Sequence, residues 1–558
     1  MKARLLFRTR DFGWKPALQA AASREAARSG RQYRGASFDP RSGLPSNDEA
    51  LTTDLGLNTL FEAMAQGDDC VFEVARKVIL AGVSSDLQTI HYRQAVLRDC
   101  LRYPAVVREL YALAVEAVET QRSHHVGSYL VRYPDAVLRH SIELMAVFLE
   151  LLRKLRKIAD YHAERFVSDG WTDFFATLKR DLDDAYLADA RRHLDQLKFR
   201  DGVLLSATLG TANKGSDYVL RRFPERQRRW LDSWWDLVDG LIGMVTRRGE
   251  TCPRWLRPDN ALVYTFSLHP RDEAGIRALT DLRNRGIGLV ADALAQSVDH
   301  VRDFFGMLQA ELGFYIGCLN LHQQLVDKNG PVCMPSPASA EKRRLSFRGL
   351  YDVCLASKAA QRVIGNDADG DGKDLVIITG ANQGGKSTFL RSIGLAQLMM
   401  QCGMFVPAER FRSSLCAGLF THFKREEDPT MKSGRLDEEL RRMSDIVDHV
   451  GSHSLILFNE SFAATNEREG SEIGRQILTA LVDKQIRIVC VTHLYEMARY
   501  FYEVRGRDGL FLRAERARNY KLIEGEPLPT SFGEDLYNGV FGAECERLDT
   551  HNSLWVAS

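Results

Sequence analysis

Between about Leu51 and Leu325 the apolar residues recur at steps of three and four, the period of helices that bury one stripe. From Asp135 to Asp169 neither Gly nor Pro interrupts the chain, and Ile142, Met145, Leu149, Leu152, Leu155 and Ala159 form one such stripe. A longer run joins Val290, Leu294, Val298, Val301, Phe305, Leu308, Leu312, Tyr315 and Leu319. Its interleaved seven-residue series predict a long rod packed along a seam with other helices. Gly202–Gly215 has another texture, short apolar runs broken by Gly and Asn, which predicts strand and turn. Further on the period changes again. Leu375–Ile378 and Leu455–Phe458 are unbroken apolar runs of strand length, and Ile486–Val491 is a third interrupted only by Arg487; helical patterns alternate with them. Buried parallel strands read this way.

The expected organisation is therefore multidomain. Residues 1–48 form a basic arm and linker, residues 49–340 a mainly α-helical core, and residues 341–558 an α/β unit. At 558 residues the chain exceeds a single core, and 45% hydrophobic with 27% charged residues is the composition of a globular protein. Ten scattered cysteines without a C-x-x-C pair favour reduced thiols, hence a cytoplasmic setting. No apolar stretch is long enough to cross a membrane.

The net charge of +1 means that a polyanion would be met by local patches. Two such patches stand out. Residues 1–36 carry nine Lys and Arg against Asp11 and Glu25, the composition of a disordered basic arm or of an organellar transit peptide. Within a basic aromatic region near 202–250, Arg221, Arg222, Arg226, Arg228 and Arg229 alternate with Phe223, Trp230, Trp234 and Trp235. Arginine for phosphate and aromatics for stacking suit a nucleic-acid surface, and they equally suit a helix with core tryptophans and solvated arginines.

The chemistry concentrates after the first apolar run. Gly380, Ala381, Asn382, Gln383, Gly384, Gly385, Lys386, Ser387 and Thr388 follow the strand Leu375–Thr379 and open a helix, fitting G-x-x-x-x-G-K-[ST]. Glycines let backbone N–H groups turn inward around a phosphate, and the helix start adds its positive end. Lys386 supplies a point charge for the β/γ-phosphates of ATP, and Ser387 a hydroxyl for Mg²⁺. The second run ends in Asn459-Glu460, where phosphate-loop ATPases carry an acidic pair: Asn459 can hold only a metal-bound water, and Glu460 stands in the place of the general base. His493 ends the third run, within reach of a γ-phosphate. Asn366–Asp374 imitates a calcium loop, but Ile378 falls where the bidentate Glu is required, so it is expected to be a polar turn.

The segments GANQGGKSTFLRSIGLAQLMMQCGMFVPA, SLILFNESFAATNEREG, VTHLYEMA and PTSFGEDLY, over roughly residues 350–540, resemble the MutS family of DNA-repair ATPases, relatives of ABC-type ATPases. The helical region from Asp54 resembles that family's core and lever helices. The resemblance implies a homodimer whose two ATP sites each borrow a signature segment from the opposite subunit, here Lys432–Arg435 with Ser433 or Gly434 as the contact. Thr465 and Asn466 match the family's interface loop; Ala381 replaces its usual proline, and its S-T-F signature wording is absent. No Phe-x-Glu mismatch-reading motif precedes the core, so a truncated MutS-like protein with motor and levers is expected, clasping duplex or branched DNA without reading mismatches. Two other readings fit the same residues: a factor acting on structured RNA or the ribosome, and a nucleotide-gated scaffold that hardly hydrolyses.

Overall fold

The computed structural model describes residues 2–8, 14–17, 35–38, 43–123, 133–199, 204–209, 215–221, 271–425, 434–517 and 519–529. Strands β1 (Trp14–Ala17) and β2 (Gly35–Phe38) pair antiparallel. Among the described residues eight α-helices follow: α1 (Asp48–Asp54), α2 (Leu57–Ala65), α3 (Asp69–Ala81), α4 (Leu87–Arg102), α5 (Pro104–Ser123), α6 (Pro134–His162), α7 (Asp169–Asp181) and α8 (Asp184–Leu197). Their starts are encoded locally. Asp68, Asp86 and Asp183 each accept the backbone N–H three residues on, from Val71, Thr89 and Tyr186.

The uninterrupted pattern of Asp135–Asp169 is not one helix. Helix α6 ends at His162 because Phe166 turns into the core, and buried Asp99 accepts the N–H groups of Val167 and Ser168 at 3.0 and 2.8 Å. Strands β3 (Leu204–Leu209) and β4 (Gly215–Arg221) pair antiparallel where the Gly- and Asn-broken runs predict strand and turn. The long apolar run becomes α9 (Glu273–Asp327), 55 residues and therefore about 80 Å long. It packs against α5 and α6. Its two halves differ: around Ile287, Ala291 and Val298 it buries a stripe, whereas residues 310–321 are buried all round. Only the first half is a seam; the second is the centre of the helical core.

The basic arm needs correcting at its start. Ala3, Leu5 and Leu6 are wholly buried. The N–H groups of Leu5 and Leu6 donate to Glu311 Oε2 of α9 at 2.5 and 2.8 Å, and the carbonyl of Leu5 accepts from the Tyr315 hydroxyl at 2.6 Å. Arg93 Nε of α4 donates to the Leu6 carbonyl at 3.0 Å while its guanidinium lies over the Phe7 ring. Residues 2–8 are a core segment, held because extended backbone inside a protein must find donors and acceptors there.

The described residues of the α/β region form two sheets. The first runs β10 (Leu419–Phe423), β11 (Leu455–Asn459), β12 (Arg487–Val491), β8 (Leu375–Gly380), β13 (Gly509–Ala514) and β14 (Leu522–Glu524), parallel except for the β14 edge. Alternate residues divide between two cores. Val376, Ile378, Leu457 and Val489 face a core continuous with the helical region, and Leu375, Ile377, Ile456 and Ile488 face a second one. Helices α13 (Glu467–Asp483) and α14 (Tyr495–Arg505) contribute Leu478, Leu481, Met497 and Phe501 to that second core. Burial on both faces explains the unbroken apolar runs. The smaller sheet joins β5 (Ser336–Ala338), β9 (Arg410–Ser414), β6 (Leu345–Leu350) and β7 (Asn366–Asp369), with α10 (Val353–Lys358) between β6 and β7.

Strand β7 corrects the expected polar turn at Asn366–Asp374. Its first half pairs antiparallel with β6, and Asp367 and Asp371 accept the N–H groups of Gly349 and Leu345. The acidic residues there close backbone hydrogen bonds. Helix α11 (Lys386–Gln401) links the two regions: Gln401 Nε2 donates to the Val83 carbonyl at 2.8 Å, and Arg93 Nη1 to the Cys402 carbonyl at 3.3 Å. The eight cysteines among the described residues are free thiols, and none of the described helices is long and apolar enough to cross a membrane.

Candidate functional site

The site lies at the carboxyl ends of β8, β11 and β12, where parallel sheets present their loops. Strand β8 ends on Gly380 with φ +100°, and a Cβ there would stand 2.4 Å from the Ala514 carbonyl oxygen of β13. No other residue fits that approach. Gly385 (φ +85°) then turns the chain into α11, whose first-turn N–H groups have no carbonyl of their own helix to meet. Ala381 and Gly384 are buried, Asn382 and Thr388 half-buried, and Gln383 exposed with φ +61°.

Lys386 is buried and curls back inside the loop, donating to the carbonyls of Gly380 and Ala381 at 2.9 Å each. Burial lowers its pKa, and the charge of Glu460 opposes that shift. A lysine half stripped of water inside a ring of backbone dipoles is poised to exchange two carbonyls for a phosphate oxygen. The Ser387 hydroxyl donates to Asn459 Oδ1 at 2.9 Å, so the loop and the end of β11 meet as the sequence suggested. Glu460 follows with φ +55°, its N–H donating to the Val491 carbonyl. Its Oε1 lies 2.8 Å from His493 Nε2. That hydrogen bond, ahead of the opposing effect of burial, holds the Glu460 pKa below the ordinary carboxylate value.

These residues fit the group the sequence implies. The glycine turn leaves a cradle that side chains would fill, and Lys386, Ser387, Asn459 and Glu460 converge on it. Ser387 and Asn459 offer a hydroxyl and an amide oxygen, hard ligands suited to Mg²⁺ or its water shell. The amide adds no charge where a carboxylate would.

Other expected residues fall elsewhere. Thr465 and Asn466 serve their own helix: Asn466 caps α13 by accepting the Glu469 N–H at 3.0 Å, and the Thr465 hydroxyl bonds the Glu469 carboxylate. Gly434 immediately precedes α12 (Arg435–His449), while Ser433 lies outside the described residues. Arg221 closes β4; Arg222, Arg226, Arg228 and Arg229 are outside the described residues, as is the PTSFGEDLY segment after Pro529. Two groups escaped the sequence reading. Tyr520, exposed and at φ +59°, stands beside Gly385, with Asn366 fixing its backbone through the Tyr520 carbonyl and the Leu522 N–H. His422 and Glu439 hold Ser461 and Phe462, the two residues after Glu460. Neither group carries a local motif.

A phosphate loop joined to a strand-end Asn-Glu and a histidine defines a phosphate-loop ATPase type of site. Residues 85–328 match the MutS2 N-terminal domain family, and residues 376–523 match MutS domain V. The DNA mismatch repair protein MutS of Synechococcus is 35% identical over 127 residues, covering 23% of this chain and 14% of that protein. The DNA mismatch repair protein MutS of Listeria innocua is 25% identical over 267 residues, 46% of this chain and 31% of the relative. Endonuclease MutS2 of Thermus thermophilus is 30% identical over 159 residues, 27% and 21% respectively. The chain belongs to the MutS family. The similarity spans between 14% and 31% of the length of these curated relatives.

Proposed function

We propose that this chain is an ATP-hydrolysing, DNA-binding protein of MutS type that works as a nucleotide-gated homodimer. The observation that carries the reading is the convergence of Lys386, Ser387–Asn459 and Glu460–His493 at one strand edge. Lys386 binds the β/γ-phosphates, and the N–H groups of the loop and of α11 orient them. Ser387 and Asn459 would hold Mg²⁺ or its water shell, which would supply positive charge against the phosphates. Glu460, ionised at neutral pH, accepts the proton of the attacking water, and His493 fixes the carboxylate at its Oε1. The ring of Tyr520 offers the nucleotide base a wall beside Gly385.

Gly434 and the start of α12 face the opposite subunit in this reading, and α9 with α11 carries closure of the two sites to arms that clasp duplex or branched DNA. The test is binding of homoduplex, mismatched duplex, four-way junction, single strand and structured RNA at a stated salt concentration, with and without a non-hydrolysable ATP analogue. ATP-dependent dimerisation with preference for a DNA form supports the reading; a preference for structured RNA replaces it. Asn459, which lacks the usual charge, favours a second reading, a nucleotide-gated scaffold that hardly turns over. A steady-state ATPase assay with and without DNA separates the two.

A further inference from the structure

Glu460 sits in a turn that its own backbone resists. Glu460 and Phe462 have φ of 55° and 63°, a left-handed conformation that strains any residue with a Cβ. Glycine would relieve the strain, yet the segment reads Asn-Glu-Ser-Phe-Ala. The turn persists because neighbouring elements hold it. The Phe462 N–H donates to Glu439 Oε2 at 2.9 Å, from the second turn of α12. The Ser461 hydroxyl lies 2.6 Å from the His422 carbonyl and 2.7 Å from His422 Nδ1. His422 Nε2 is 3.0 Å from the Glu439 carbonyl, and its ring stacks on Phe462 with 5.3 Å between centroids.

The protonation pattern follows from the partners. A carbonyl only accepts, so His422 carries its proton on Nε2 and donates to Glu439; Nδ1 then accepts from Ser461, whose hydroxyl is shared with the His422 carbonyl. His422 is fully buried and Glu439 nearly so. Burial pushes the imidazole pKa down to about 4, which agrees with a neutral ring. One carboxylate and one imidazole thus tie α12, strand β10 and the Glu460 turn into a unit. Helix α12 begins directly after Gly434.

We propose that Glu439 and His422 are positioning residues that hold the Glu460 turn and tie the place of its carboxylate to that of α12, so that a shift of α12 moves the base. The inference rests on reading Glu460 as that base. Glu439→Ala should lower kcat by roughly ten- to a hundredfold, the scale of a misplaced catalytic group, with KM for ATP within about threefold. Glu439→Gln keeps an oxygen acceptor for the Phe462 N–H and should recover most of the loss. In a Glu460→Gln background, Glu439→Ala should cost nothing further, because it acts through the group already removed. A crystal structure of Glu439→Ala should show the Glu460–His493 contact broken; if that variant does not fold, Ser461→Ala takes its place in the same cycle. Equal losses in both backgrounds, or a Glu439→Gln no better than Glu439→Ala, would overturn the proposal. Wild-type turnover by Glu460→Gln alone would instead remove the base assignment. The crystal structure then decides, and an intact Glu460–His493 contact in Glu439→Ala overturns the positioning role.

Discussion

Truncating Leu5 or Leu6 to Ala separates a core segment from a charged arm. Both side chains are wholly buried, in a slot made by α4 and the all-round-buried half of α9. Removing three carbons from such a site costs about 2–5 kcal/mol, towards the upper end where the walls cannot collapse. These walls are fixed by hydrogen bonds to Glu311, Tyr315 and Arg93, and Arg93 is itself tied to Cys402. We therefore expect about 3–4 kcal/mol for each variant. For a cooperative unit of 150–250 residues that lowers the melting midpoint by roughly 6–16 °C. Arg8→Ala is the control. Its ion pair with Asp169 joins side chains that are 68% and 64% exposed, and such pairs contribute under about 1 kcal/mol. Differential scanning calorimetry, with hydrogen exchange on α9, measures the effect. Leu5→Ala and Leu6→Ala variants that melt with the wild type would return residues 2–8 to the status of a loose basic arm.

Two further outcomes follow from the site. The unfolded chain takes up a proton on His422 near the ordinary value of 6.5, whereas the fold refuses it until about 4; the stability this lends is fully present above pH 6.5 and is lost as pH falls towards 4. That gap is worth roughly 3 kcal/mol, so the advantage of wild type over His422→Asn in urea unfolding should shrink by about that much between pH 7 and pH 4. Parallel pH curves would show that the ring is not held neutral. Asn459→Asp places a charge beside the Ser387 hydroxyl, now 2.9 Å from Asn459 Oδ1, and should reduce the Mg²⁺ concentration for half-maximal ATPase; an unchanged metal dependence would contradict the role given to Asn459.

Local patterns were readable where the physics is local. Gly380 must take left-handed backbone against Ala514 and Gly385 again where α11 begins, and apolar runs mark strands covered on both faces, so the loop, Asn459, Glu460 and His493 stand out along the chain. Helix α9 announced its length but not its two halves, since burial all round depends on what other segments supply. Leu5 meets Glu311 across 306 positions, and nine basic residues around it hide two core leucines in the composition. Glu439 and Tyr520 were silent for the same reason: each earns its place by meeting a strained turn that lies far away in sequence.

The most direct measurement compares Lys386→Ala with Glu460→Gln, following nucleotide binding and single-turnover hydrolysis in the same preparations. The account predicts that Lys386→Ala no longer binds ATP. Glu460→Gln should bind it as the wild type does and hydrolyse it about 10²–10⁴-fold more slowly. Wild-type binding by Lys386→Ala, or wild-type hydrolysis by Glu460→Gln, would contradict it.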